Sequence, residues 1–223
     1  MIHWARFFRI PLLPTVWCHL YAASVMVGDD ITQHPWLLVA FSCVYLFGMG
    51  DNDRADVARD LENNPSRPLA AGVISITQAT YVLTFILLIG GFSVYKIEPP
   101  HQAKMVAVSL VAAWCYNRYF KAFALPGALC LAVARGSIYY SFSVPLHYAL
   151  ILAAYTLCVT LWSTTEEKYP KRKKITLLLL LMLPVLDFIL IICEKGMTQR
   201  YAFFLLAMPI VCRFFVLALS PKK

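Results

Sequence analysis

Charge is scarce in this sequence. Asp, Glu, Lys and Arg make up 14% of its 223 residues, against 60% hydrophobic residues, and the mean hydropathy is +0.66. A soluble domain of this length needs far more polar surface, so a water-soluble globule is excluded. C-x-x-C pairs are also missing. The seven cysteines (18, 43, 115, 130, 158, 193 and 212) stand singly within or at the ends of apolar runs. They read as small core residues and not as disulfides or metal ligands. No low-complexity stretch or polar linker divides the chain, so one domain over residues 1–223 is expected. The first apolar run lacks a small-residue cleavage pattern, and Pro11 and Pro14 interrupt its start. It is expected to be a membrane span and not a signal peptide.

What the sequence does have is long apolar runs. About 20 such residues cross a bilayer as a helix, and lipid forces the backbone to satisfy its own hydrogen bonds. Eight spans are expected: Ile10–Val27, Pro35–Gly50, Ile76–Tyr95, Ala103–Tyr119, Leu125–Phe142, Leu146–Ser163, Ile175–Cys193 and Tyr201–Leu219. The second is expected to continue as helix into the polar stretch that follows it. The expected fold is therefore all-α, a multi-spanning transmembrane helical bundle. With both termini on one side, that side holds 14 of the 20 Lys and Arg and the other side four. The positive-inside rule then makes the termini cytoplasmic. The basic residues lie in separate short loops, so the net charge of +8 does not imply nucleic-acid binding.

Five of the 12 acidic residues fall between Asp51 and Glu62, directly after an apolar run. On a continuing helix, Asn52, Asp53, Asp56 and Asp60 stand at i, i+1, i+4 and i+8, near one face. Carboxylates crowded this way repel unless a cation lies between them. A hard cation with oxygen ligands, Mg²⁺ shared with a substrate phosphate, answers that need. Arg54, Arg59 and Arg67 are near enough in sequence to help hold such a phosphate. The alternative is a solvated charged loop in which Arg54 and Arg59 pair locally with the acids.

Asn52-Asp53-x-x-Asp56-x-x-x-Asp60 resembles the N-D-x-x-D-x-x-x-D motif of the UbiA superfamily of intramembrane prenyltransferases. Arg67-Pro68-Leu69-Ala70-x-Gly72-x-Ile74-Ser75 resembles the segment that follows it in that family, and Arg9-x-Pro11 is similar to the family's opening R-P. Tyr116-Asn117-x-x-Phe120-Lys121, Arg135-Gly136-Ser137 and the stretch from Thr160 to Glu167 look similar to the EboC-like branch, with Asn117 where that branch carries Asp. The resemblance departs from the superfamily in two places. Eight spans are read where nine are usual, and Glu166-Glu167 stand where a second aspartate motif is usual.

The resemblance implies ionisation of a prenyl diphosphate and transfer of the prenyl group to a small apolar acceptor. Mg²⁺ would sit on Asn52, Asp53, Asp56 and Asp60, with Glu167 as a ligand to a second ion. Arg67 and Lys121 would bond the leaving diphosphate, and Arg9, Tyr116, Asn117, Arg118, Arg135 and Glu167 would contact substrate. Two alternatives stay open: a UbiA-type terpene cyclase with no acceptor, and a lipid-binding or transport protein without turnover. Arg135 lies mid-span, where a charge is costly. It reads either as a functional polar centre or as the partner of Asp187, and His19 reads as a satisfied core histidine.

Overall fold

The computed structural model describes residues 2–164, 172–196 and 203–219. Among them every regular element is helical: α1 (Ile2–Phe7), α2 (Pro14–Val27), α3 (Pro35–Ala55), α4 (Val57–Asn63), α5 (Ile76–Tyr95), α6 (Pro100–Cys115), α7 (Ala124–Tyr140), α8 (Leu146–Ser163), α9 (Arg172–Leu181), α10 (Leu183–Lys195) and α11 (Phe204–Leu219). A 3₁₀ turn at Ile10–Leu12 precedes α2, and a π turn at Tyr116–Phe120 extends α6. Four segments are long and apolar enough to cross a membrane: Ile10–Val27, Ile76–Tyr95, Leu146–Ser163 and Lys174–Lys195. The chain is an integral membrane protein.

Two expected spans, Ile76–Tyr95 and Leu146–Ser163, match α5 and α8 at both ends. Ser75 starts α5 with a capping box: its hydroxyl accepts from the Gln78 N–H, and the Gln78 side chain accepts from the Ser75 N–H. The seventh span is split at Met182 into α9 and α10. Pro184 has no N–H to donate and sits in the first turn of α10, where none is needed. Pro209 lies inside α11 without ending it.

In the bundle α3 packs on α5 and α6, α6 on α7, α7 on α8, and α10 on α2, while α11 closes against the 3₁₀ turn and α9. Tyr81, Phe85, Leu88 and Phe92 form an exposed stripe on α5 at helical spacing. Such a stripe is suited to lipid, which is as apolar as the side chains that face it.

Glycine is required where α7 meets the π turn. A Cβ on Gly127 would stand 2.8 Å from the Phe120 carbonyl oxygen, a backbone atom that cannot swing away. Gly127→Ala is therefore expected to lower the melting temperature of the detergent-solubilised protein, as overpacking by about 1–3 kcal/mol does. An unchanged or raised melting temperature would refute the close contact.

Candidate active site

The C-terminal end of α3 carries the acidic cluster. The helix does not run straight through it. α3 ends at Ala55 and α4 begins at Val57, with Asp56 between them at φ −95 and ψ 0. The break is slight, and Asn52, Asp53, Asp56 and Asp60 are all buried, with at most 8% exposure. A buried carboxylate needs a partner, and cations from three other parts of the chain supply it.

Asp53 Oδ1 accepts from Arg9 Nη2 at 3.0 Å and from Arg67 Nη1 at 3.2 Å. Arg67 Nη1 also bonds Asp60 Oδ2 at 2.7 Å and lies 3.8 Å from Asp56 Oδ2. Three carboxylates thus surround one guanidinium nitrogen. Lys121 Nζ donates to Asn52 Oδ1 at 2.6 Å and to Asp56 Oδ2, and it lies 6.0 Å from the centre of the Tyr116 ring. Burial pushes the Lys121 ammonium below its ordinary pKa, against the opposing pull of Asp56.

Arg9 is held in an unusual backbone shape. Its φ is 49 and its ψ 43, left-handed for a residue with a Cβ, a shape that costs about 1–3 kcal/mol and persists only where the surroundings impose it. The Tyr45 hydroxyl donates to the Arg9 carbonyl at 2.9 Å, and the Leu12 N–H bonds the same oxygen at 2.9 Å. The loop after α4 turns at Gly72, where φ is +69, as Arg67-Pro68 leads toward α5.

Asp51 has a different role. It is fully buried and takes Arg118 Nη2 at 2.6 Å and Arg54 Nη2 at 2.9 Å on Oδ1. Asn117 Nδ2 lies 3.4 Å from Oδ2 and donates to the Gly48 carbonyl at 3.0 Å. Asn117 and Arg118, expected on substrate, are in this structure directed to Asp51. The local pairs of the charged-loop alternative are also present, Arg54 with Asp51 and Arg59 Nη2 with Asp56 at 3.5 Å. They coexist with the long-range pairs. Sequence reasoning passed over Asp51, whose only signal was its place at the head of the acidic run.

Arg135 does not join this cluster. It does not form an ion pair with Asp187 either, since its Nη1 donates to Thr15 Oγ1 at 3.3 Å. Asp187 instead accepts from His19 Nδ1 at 2.8 Å and from the Tyr139 hydroxyl at 2.7 Å. His19 is buried, as expected, but its Nε2 has no hydrogen-bond partner among the described residues. Glu167 and its neighbour Glu166 lie outside the described residues.

A cavity of about 290 Å³ opens on the cluster, lined by the polar Arg6, Arg9, Asp53 and Arg67 and by the apolar Pro11, Leu12, Leu177 and Val216. A second cavity of about 360 Å³, almost wholly apolar, lies away from the carboxylates between Trp17, Tyr21, Leu38, Phe204 and Met208. Among the described residues no three His, Cys, Asp or Glu side chains form a metal-binding group, and Arg67 occupies the space shared by Asp53, Asp56 and Asp60. The donors are nevertheless all hard oxygen, the kind that Mg²⁺ takes.

The fold and site together define an all-helical membrane bundle with a buried cluster of acids, arginines and lysine at one end. The model of the UbiA prenyltransferase family matches residues 12–169, and the chain belongs to that family. Its fold is similar to a solved structure of digeranylgeranylglyceryl phosphate synthase in membranes, with a TM-score of 0.60 and 19% identity over 99% of this chain and 88% of that one. No curated protein matches.

Asp51→Asn separates the two sets of acids. It removes the charge that Arg54 and Arg118 face and is expected to destabilise the protein by about 1–3 kcal/mol, seen as a lower melting temperature. Asp53→Asn, whose partners Arg9 and Arg67 can turn toward the cavity, is expected to leave the melting temperature much less changed. Equal shifts would erase the distinction.

Proposed function

We propose that this protein is a Mg²⁺-dependent membrane prenyltransferase that ionises a prenyl diphosphate and transfers the prenyl group to a small apolar acceptor. One observation carries the reading: a single cavity is lined both by Arg6, Arg9, Arg67 and Asp53 and by Pro11, Leu12, Leu177 and Val216. That lining suits an anionic head joined to a hydrocarbon chain. Arg9, Arg67 and Lys121 would turn from the carboxylates to the diphosphate oxygens and stabilise the charge that builds as the carbon–oxygen bond breaks. In this apolar setting each such bond is stronger than in water.

Asn52, Asp53 and Asp56, with Asp60, would hold Mg²⁺ through oxygen, and Glu167 would serve a second ion. Bound there, the ion supplies further neutralisation of the leaving diphosphate. Tyr116 places a ring face near the site, and aromatic faces attract an allylic cation without trapping it. Asn117 and Arg118 act in this reading by bracing Asp51, one residue from the reacting cluster. Eight spans in one domain, with the cluster and both termini on the cytoplasmic side, complete the proposal. Its support is the charge count of 14 Lys and Arg on that side against four on the other.

The purified protein, incubated with geranyl, farnesyl or geranylgeranyl diphosphate and a panel of acceptors, is expected to release pyrophosphate with Mg²⁺ and not with EDTA. Asp53→Asn and Asp56→Asn are each expected to slow release by about 10²-fold or more. A cyclic product formed with no acceptor would replace transfer by cyclisation. Binding of the diphosphate without any release would make the chain a carrier of such lipids.

A further inference from the structure

Arg135 is a half-buried arginine within a helix that, among the described residues, meets neither the acidic cluster nor an acid directly. Its guanidinium reaches Thr15 Oγ1 at 3.3 Å, and that hydroxyl in turn donates to the Leu12 carbonyl at 2.7 Å. Thr15 is therefore a relay. It receives a hydrogen bond from α7 and passes one into the 3₁₀ turn. That turn is what carries Arg9: the Leu12 N–H bonds the Arg9 carbonyl at 2.9 Å, and the Leu13 N–H bonds the Ile10 carbonyl at 3.0 Å. The Arg9 guanidinium then lies 3.0 Å from Asp53. Tyr45, whose hydroxyl holds the Arg9 carbonyl, and Asp187 are within electrostatic reach of Arg135.

The spacing along the helices is consistent with this route. Thr15 and His19 are one turn apart on α2, and Arg135 and Tyr139 are one turn apart on α7. The first layer joins Arg135 to Thr15. The second joins His19 and Tyr139 to Asp187 of α10. Asp187 is fully buried, held by His19 Nδ1 and the Tyr139 hydroxyl, and lies within electrostatic reach of Arg135. A guanidinium in a helical bundle is costly. Here it is held to Thr15, whose hydroxyl bonds the turn that follows the left-handed Arg9.

We propose that Arg135 is a positioning residue for Arg9, acting through the Thr15 hydroxyl and the 3₁₀ turn, and not a contact to substrate. The inference rests on the diphosphate reading of the cluster for its effect on catalysis. Its structural half stands independently of that reading.

Thr15→Val removes the relay and keeps the shape of the side chain, while Thr15→Ser keeps the hydroxyl. In Thr15→Val, KM for the prenyl diphosphate is expected to rise about five- to tenfold, the worth of one hydrogen bond, with a smaller change in kcat. Thr15→Ser should restore the wild-type value. In an Arg9→Ala background Thr15→Val should add little, because the two act in series. Additive losses, or a loss of kcat in Arg135→Lys while Thr15→Val is silent, would make Arg135 a substrate contact and overturn the proposal. Hydrogen exchange at the Leu12 and Leu13 amides is the second readout and needs no substrate. It should quicken in Thr15→Val and not in Thr15→Ser. Unchanged exchange would overturn the proposal even if the protein binds prenyl diphosphates. Quickened exchange in a protein that binds none would uphold the turn and reject the diphosphate reading alone.

Discussion

The organisation of this protein depends on the compensation of buried carboxylates at the end of one membrane helix. Asp51, Asp53, Asp56 and Asp60 are each at most 8% exposed. An uncompensated charge in such a place would shift to its neutral form or pull the helix end out of the bundle. Compensation comes from Arg9 before α2, Arg67 after α4, and Arg118 and Lys121 where α6 passes into α7. The ion pairs therefore draw three remote chain segments onto α3. The same ion pairs that compensate the acids assemble the site.

Within that cluster the acids divide by what lies beyond them. Asp51 is closed off by Arg54, Arg118 and Asn117. Asp53 shares its oxygen with two arginines that also line a cavity. A charge sealed among its partners serves to hold structure. A charge whose partners face an opening can exchange them for a ligand. Backbone shape follows the same division. Gly50, next to Asp51, leaves room for Phe7 and Leu83, which a Cβ would meet at 2.9 and 2.7 Å. That approach lets α1 lie close to α3.

Farther into the bundle a second set of polar groups is paired in layers across α2, α7 and α10. Polar side chains in lipid are expensive when alone and serve as ties between helices when paired. The Thr15–Arg135 bond and the His19–Asp187–Tyr139 group are such ties. The first of them ends at the turn that presents Arg9, so the core and the site are mechanically joined.

The sequence by itself determined the helical membrane character, the limits of α5 and α8, and the face shared by Asn52, Asp53, Asp56 and Asp60. These depend on run length, hydropathy and a period of 3.6 residues, all of which are local. The resemblance of its motifs to those of the UbiA family also pointed to Arg9, Arg67 and Lys121. Only the tertiary structure decided that Asp51 is the anchor for Arg118, 67 residues away, and that Arg135 turns to Thr15, 120 residues away, and not to Asp187. Such pairings depend on which helices lie side by side and how each is rotated. Neither is written in the spacing of residues along the chain.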